Sequence, residues 1–333
     1  MKKILFTLFA VVPLLLQAND SLKLPELLSD KGLYSVIVTK NDQTIFKQFY
    51  QGKTENDLIE VKSITKSIMS LLIGIALDKK FLQSLDQPLT DFFPELLTDT
   101  SAAKKRITIR HVLNHASGLA DYEEWPSQMQ IWLNSPNPSA FLLSQPLVSE
   151  PGKEYRYNSP ATHLLSAIVT KASKMETADF AQQYLFKPLG IKSYKWDILR
   201  DGFYDGAGIS LALRTTDLAK IGNLIVQKGT INKTSVISYS YIKILCDLSL
   251  KRETPWGLPD SKVGLCWYQT RYEGEVVNYC LGYGGQFLIV FPYRKCVIAV
   301  NHNIAVQDPD LQSYNFVKNY LPVIYKAMIE AGE

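Results

Sequence analysis

The sequence predicts an α/β (α+β) fold in which one antiparallel sheet, built from both ends of the chain, carries an inserted all-helical region at about residues 61–205. Three observations predict it. Strand-like runs crowd the beginning and the last third of the chain, and helical periodicity dominates between them. No internal repeat, low-complexity tract or flexible linker separates the parts, so they share an interface. With 333 residues, 46 % of them hydrophobic, the chain can bury a sizeable core.

The chain opens Met1-Lys2-Lys3, continues through a largely apolar run from Ile4 to Leu16, and reaches Gln17-Ala18-Asn19-Asp20. Charge, apolar stretch and small residue in that order predict a secretory signal peptide over 1–18, cleaved after Ala18, and hence an exported, periplasmic protein. The stretch is short for a membrane span of about 20 residues and Pro13 interrupts it, so no integral span is expected once the leader is removed.

Leu33 to Lys40 and Thr44 to Tyr50 read as strands joined at Asn41-Asp42, which is hairpin turn chemistry. Beyond Ser63, the run Ile68 to Leu77 is apolar nearly all round, the mark of a helix buried in the middle of a domain. Helical patterns follow at Thr108 to His115, at Ser139 to Leu143 and at Ser159 to Ala172. In the last of these Ala161, Leu164, Leu165, Ile168, Val169 and Ala172 share a face, Pro160 suits the first turn and Ser159 the cap. A helix from Thr216 to Gln227 stops at Gly229. Strands return at Gly264 to Gln269, Glu275 to Tyr279, Gln286 to Phe291 and Cys296 to Asn301, and a helix ending near Met328 closes the chain. The organisation expected is a sheet domain of residues 19–60 and 206–333, an inserted helical domain of 61–205, and an active site between them.

Loss of Lys2 and Lys3 with the leader lowers the formal charge from +4 to +2, and no basic cluster remains of the kind nucleic acid binding needs. Cys246, Cys266, Cys280 and Cys296 lack Cys-x-x-Cys spacing, so neither a metal nor another cofactor is expected. A hairpin centred on Glu273 would set Cys266 opposite Cys280. An oxidising compartment could then join them, or both could stay buried thiols.

The chain contains no Gly-x-Ser-x-Gly elbow and no His-Glu-x-x-His, and Gly206-Ala207-Gly208 lacks the third glycine of a phosphate loop. Ser-x-x-Lys occurs at Ser63/Lys66, Ser101/Lys104 and Ser240/Lys243. Only Ser63 opens a helix with an apolar body, on which Ser63, Lys66 and Ser70 form a thin polar stripe. A serine at a helix start is ordinarily an N-cap. Lys66, however, opposes the helix dipole in the first turn, with Lys62 beside it. Burial, dipole and second cation favour the neutral amine, the form that can take a proton from a serine hydroxyl. A second proton carrier is offered by Tyr157, which with Ser159 stands just before the helix opened by Pro160. Gly282-Tyr283-Gly284-Gly285-Gln286 begins a strand where paired glycines admit a substrate to the backbone. The four histidines, His111, His115, His163 and His302, come with no nucleophile elbow.

Taken in order, these blocks resemble the family of class C β-lactamases, penicillin-binding proteins, D-alanyl carboxypeptidases and related esterases. The resemblance is carried by Ser63-Ile64-Thr65-Lys66, by Ile107 to Leu119 with His115-Ala116-Ser117-Gly118, and by Pro151 to Ser159 with Tyr157-Asn158-Ser159. It continues in Lys187-Pro188-Leu189-Gly190, Leu213 to Ala219, and Gly282 to Gln286, and so covers nearly the whole chain after the leader. It implies a β-lactamase/penicillin-binding-protein-like fold, Ser63 as nucleophile, Lys66 as its base partner and Tyr157 as second acid/base. It also implies an oxyanion hole formed by the backbone N–H groups of Ser63 and Gln286.

Two positions depart from the family pattern. Ser159 stands where the tyrosine motif usually has Asn, and Tyr283 stands where the strand motif usually has Lys or His, as in the nylon-oligomer hydrolases. The function expected is a serine acyl-hydrolase acting on an amide or ester of a small molecule or peptide. D-alanyl-D-alanine carboxypeptidase or β-lactamase activity is the alternative, and a catalytically silent penicillin-binding or sensor protein is the reading from another class.

Overall fold

The computed structural model describes residues 32–330 except 125, 246–249 and 252–256. The expected leader and Cys246 lie outside the described residues. The strands are β1 (Leu33–Lys40), β2 (Gln43–Phe49), β3 (Ile59–Glu60), β4 (Ala212–Leu213), β5 (Thr230–Ile231), β6 (Thr234–Ser235), β7 (Leu250–Lys251), β8 (Lys262–Gly264), β9 (Trp267–Tyr272), β10 (Glu275–Gly282), β11 (Gln286–Phe291) and β12 (Cys296–His302). The helices are α1 (Ile64–Asp78), α2 (Ile109–Leu113), α3 (Ser127–Asn134), α4 (Pro138–Ser144), α5 (Ser159–Ser173), α6 (Thr177–Ala181), α7 (Thr215–Val226), α8 (Tyr239–Leu245), α9 (Pro309–Asn315) and α10 (Leu321–Glu330).

One antiparallel sheet takes the order β2-β1-β12-β11-β10-β9-β8-β7. Val36 lies opposite Val300 and Val38 opposite Ile298, so the first strand of the chain pairs with the last. This is the sheet built from both ends that the sequence predicts, with the helices from α1 to α6 between its parts. β11 and β12 are buried at every position, which is why their sequences read as unbroken apolar runs. Their side chains still alternate. Leu288, Val290, Val297 and Ala299 join the core that contains α1, α5 and α7. Phe287, Ile289, Phe291, Ile298 and Val300 join Phe316 and, from α10, Leu321, Ile324 and Met328. Each of the larger side chains among these contributes about 1.5–3 kcal/mol on burial, so the sheet is clamped from both faces.

Two local readings are corrected by the backbone. Glu273 and Gly274 both have positive φ, 48° and 80°, and form a two-residue hairpin turn that sets Tyr272 opposite Glu275 and Tyr279 opposite Tyr268. A turn centred on Glu273 is therefore off by one residue, and a shift of one residue breaks the expected facing of Cys266 and Cys280. Both are free and buried, as is Cys296. The expected single strand from Gly264 is broken at Leu265 and Cys266, which have φ of 37° and 61°. That kink docks on the end of α2, where Cys266 N donates to Leu113 O at 2.8 Å and Leu265 N to Asn114 Oδ1 at 2.9 Å.

The cap of α5 is Asn158 rather than Ser159. The Asn158 carboxamide oxygen accepts from Ala161 N at 2.8 Å, and Ser159 is the first helical residue. Deeper in the same helix His163 meets Asp201 through Nε2 at 2.9 Å, both side chains fully buried. Asp201 also accepts from Ser139 N at 3.0 Å and Ser139 Oγ at 2.5 Å, which ties α4 to α5. Burial works against the Asp201 charge, but the bonds and charge of His163 and the bond from Ser139 outweigh it and hold the carboxyl down at about 2.

A carboxyl depressed from its ordinary 3.8 stabilises the fold fully above the unfolded-state value, and that contribution is lost as pH falls through about 2. The expected outcome is a loss of about 2 kcal/mol of unfolding free energy attributable to Asp201 between about pH 4 and pH 2. It is measured as the difference between wild type and Asp201→Asn in urea unfolding across that range. A difference that does not shrink on acidification contradicts the assignment.

Candidate active site

The entry to α1 is fixed before the helix begins. β3 pairs with β4, Val61 N donates to Leu211 O at 2.9 Å, and Lys62 takes a left-handed φ of 50° that turns the chain into the helix. Ser63 follows in the cap position, yet its backbone is already helical at φ −65° and ψ −7°, and its hydroxyl makes no capping bond. The ordinary use of a serine at a helix start is not taken up. Instead Lys66 Nζ lies 2.9 Å from Ser63 Oγ, donates also to the Ala207 carbonyl, and stands 5.0 Å from the centroid of the Tyr157 ring. Lys66 is only 2 % exposed, whereas Ser63 is half-buried.

The other two Ser-x-x-Lys copies are occupied elsewhere. Lys104 Nζ binds Asp99 at 2.8 Å and Leu143 O at 2.9 Å, and Ser240 Oγ donates to Ser238 Oγ at 3.0 Å while Lys243 lies over the Tyr239 ring. The second cation expected beside Lys66 is also answered. Lys62 pairs with Glu60 and donates to Ile209 O at 3.2 Å, so its charge does not bear unopposed on the first turn.

Tyr157 is placed by His115 from the end of α2, whose ring stacks on the Tyr157 ring at 4.6 Å and 27°. The stack is locked at both ends: Arg156 N donates to His115 O at 2.7 Å, and Asn158 N donates to His115 Nδ1 at 3.1 Å. Ser159, in the place of the usual Asn, turns to Glu123. Its N–H donates to Glu123 Oε1, and its hydroxyl donates to Glu123 Oε2 at 3.1 Å. Burial pushes the Glu123 carboxyl up, and the charge of Lys66 and the two bonds from Ser159 pull against it. The sequence carries no sign of this partner, since Asp121-Tyr122-Glu123-Glu124 reads as an ordinary solvated loop.

The turn between β10 and β11 closes the other side. A Cβ on Gly282 would lie 2.3 Å from Val61 O, so only glycine lets the strand pass this close to the residues before Ser63. Tyr283 projects from the turn and is 55 % exposed. Burial raises its phenol, and the Asp310 and Asp308 charges raise it further. Gly284 and Gly285 follow at φ 75° and 84°. The Gln286 side chain does not enter the site, because it is fully buried, donating to His302 O at 3.0 Å and accepting from Asn301 Nδ2 at 2.9 Å. What Gln286 can offer is its backbone N–H.

The remaining titratable groups serve the scaffold. His111 Nδ1 accepts from Thr108 N in the cap of α2, and His302 Nδ1 pairs with Gly285 O at 2.6 Å. Cys266 Sγ lies 3.9 Å from His115 Nε2, but burial pushes its thiol up to about 12, which leaves no thiolate to act as nucleophile. Among the described residues no group of three or more His, Cys, Asp or Glu is placed to hold a metal, and no helix is long and apolar enough to cross a membrane.

Comparison with known proteins identifies the family and the fold. A family model described as Beta-lactamase matches residues 31–318. Penicillin-binding protein 4* of Bacillus subtilis is 31 % identical over 142 residues, a match that takes in 41 % of this chain and 30 % of that protein's length. Among solved structures, a Bacillus anthracis protein named as a 6-aminohexanoate-dimer hydrolase superposes with a TM-score of 0.75 at 17 % identity, covering 92 % of this chain and 81 % of the other. A D-stereospecific amidohydrolase from Streptomyces superposes with a TM-score of 0.65 at 15 % identity, covering 85 % and 93 %. At these identities the two structures show a shared fold.

The Ser159 and Glu123 pair makes a stability prediction. Glu123→Ala leaves the Ser159 N–H and hydroxyl without their acceptor and should cost about 1–3 kcal/mol. Glu123→Gln keeps an acceptor for the N–H and should cost less. Urea unfolding of the three proteins at pH 7 checks the order, and equal losses in both variants contradict it.

Proposed function

The chain belongs to the Beta-lactamase family, whose members are serine acyl-hydrolases, and from that premise we propose that it forms a covalent acyl-enzyme on Ser63 and hydrolyses an amide or ester of a small molecule or peptide. The observation that carries the reading is the contact of Lys66 Nζ with Ser63 Oγ at 2.9 Å, with the serine excused from capping and the lysine buried. Ser63 Oγ attacks the carbonyl carbon and passes its proton to the Lys66 and Tyr157 pair. The backbone N–H groups of Ser63 and Gln286 take the developing oxyanion. The leaving amine or alcohol receives a proton from Tyr157, and water then attacks the acyl-enzyme to release the acid and restore Ser63. No cofactor enters these steps. The reading includes export to the periplasm, as the leader sequence suggests.

Within this reading the substrate side of the site favours neutral groups. A cation at the position of Tyr283 would pair with the carboxylate of a β-lactam or of a peptide C-terminus, a bond of roughly 1.5–3 kcal/mol. Arg156, the nearest alternative cation in the sequence, is turned to Asp121 at 2.9 Å and Glu154 at 3.3 Å. The charges felt at Tyr283 are those of Asp308 and Asp310, which repel a carboxylate.

Two measurements follow. Labelling rates with a fluorophosphonate probe should fall by several orders of magnitude in Ser63→Ala and in Lys66→Ala, and severely in Tyr157→Phe. Unlabelled wild type would favour a silent binding protein. Near wild-type rates in Lys66→Ala, with loss in Ser101→Ala or Ser240→Ala, would move the site to another copy of the motif. For substrate preference, kcat/KM on a short neutral ester should exceed that on a cephalosporin and on a D-Ala-D-Ala peptide. Tyr283→Lys should narrow the gap by roughly ten- to hundredfold. Faster wild-type turnover of either carboxylate substrate refutes the argument from Tyr283.

A further inference from the structure

We propose that Asp205 is a positioning residue for Lys66, acting through the single peptide unit that joins Ala207 to Gly208. The inference rests on the reading of Lys66 as the partner of Ser63, and goes beyond it in naming what holds the lysine. Asp205 is fully buried and, among the described residues, forms no ion pair. Its carboxylate is held instead by the loop that follows it. Oδ1 accepts from Ala207 N at 2.8 Å and from Gly208 N at 3.2 Å, and Oδ2 accepts from Ile209 N at 2.6 Å, Ser210 N at 2.8 Å and Ser210 Oγ at 3.2 Å. Four consecutive backbone donors on one carboxylate fix the path of residues 207–210.

That path points one carbonyl at the amine. The peptide unit between Ala207 and Gly208 gives its N–H to Asp205 and its C=O to Lys66, so it lies between a buried carboxylate and a buried amine. A hydrogen bond at one end of a peptide group polarises the other end, and in a low-dielectric interior the effect is stronger than in water. Asp205 thus acts on Lys66 in two ways: it sets where the Ala207 carbonyl stands, and it strengthens that carbonyl as an acceptor.

The loop has no slack to do otherwise. Gly208 has φ +94°, and a Cβ there would lie 2.9 Å from both Lys62 O and Ser63 Cα, so the same peptide unit presses on the backbone of the nucleophile. The outer side of the loop is held by Gly206 N donating to His163 Nδ1 at 3.3 Å, with Asp201 behind that ring. The other titratable groups about Lys66 are Tyr157, Glu123, Cys266, behind Tyr157 His115, and on the near side of Ser63 Lys62, which pairs with Glu60. Of these Lys62 also reaches the loop of residues 207–210, donating to Ile209 O at 3.2 Å.

The test uses Asp205→Asn, which keeps the size and removes the charge, and Gly208→Ala, which leaves Asp205 intact and pushes the peptide unit off Ser63. Both are checked for folding by thermal unfolding, and phosphonylation by the fluorophosphonate probe is followed across pH. The expected result in each is a tenfold or greater fall in the maximal labelling rate with the probe's apparent binding constant little changed. The acid limb of the profile should move to lower pH in Asp205→Asn, because the carboxylate charge behind the Ala207 peptide unit has been removed. A purely structural role would lower the rate without moving the limb, and that outcome overturns the proposal, as does an unchanged rate in both variants. If Asp205→Asn does not fold, Gly208→Ala decides by rate alone: a tenfold or greater fall in the maximal labelling rate with the apparent binding constant little changed is expected, and an unchanged rate overturns the proposal. If wild type itself is not labelled, the hydrolase reading fails separately. The inference is then read from [ε-13C]lysine spectra, in which the Lys66 resonance, assigned by its loss in Lys66→Arg, should titrate at lower pH in the variant than in wild type, and an unmoved titration refutes it.

Discussion

The contact between Lys66 Nζ and Ser63 Oγ, 2.9 Å long and set in the first turn of an apolar helix, is the constraint on which the rest of the structure depends. An amine in that place works against the helix dipole and gives up its hydration. Such a group persists only where neighbours satisfy it. Ser63, the Ala207 carbonyl and the face of Tyr157 do so from three separate parts of the chain. Each part is in turn held by buried polar bonds, so the site is the meeting point of several rigid segments rather than a feature of α1 alone.

The fold explains why those segments meet. α1 is buried from Ile64 to Ala76 between α5 and the sheet, and at its N-terminal end it is Ser63, just ahead of the first turn, that is only half-buried. Strands β10 and β11 then run past the entry to α1, close enough that Gly282 is required. α2 is stitched to the start of β9 through Leu113 and Asn114, and its last residues carry the His115 ring that supports Tyr157. Left-handed backbone at Lys62, His115, Leu265 and Cys266 accompanies these junctions, the pattern expected where packing over-determines a strained conformation near a functional site.

Much of this was legible in the sequence, for identifiable reasons. The N-terminal hairpin, β11, β12, α5 and α7 carry strong apolar periodicity and turn residues, and they stand within a residue or two of where the pattern puts them. Ser63 could be separated from two other copies of its motif because only its helix is apolar all round. Details that depend on backbone geometry were less visible. Asn158 and Ser159 are both good caps, and only the dihedrals decide between them. The Cys266 and Cys280 pairing failed because a two-residue turn and a turn centred on one residue look alike in Glu273-Gly274. The supporting carboxylates Glu123 and Asp205 were invisible for another reason: an acidic residue in a polar loop gives the same signal whether it is solvated or folded inward. The inward side chain of Gln286 was hidden in the same way, since a motif specifies a backbone position and says nothing of where the amide points.

The most direct measurement is mass spectrometry of the proteolysed protein after brief reaction with an activated ester under conditions that trap the acyl-enzyme. The account predicts a single acyl mass increment on the peptide that contains Ser63, fragment ions placing it on that serine, and no increment in Lys66→Ala. An increment on Ser101, Ser240 or Cys266, or an unmodified Ser63 in protein that nonetheless turns the ester over, would contradict it.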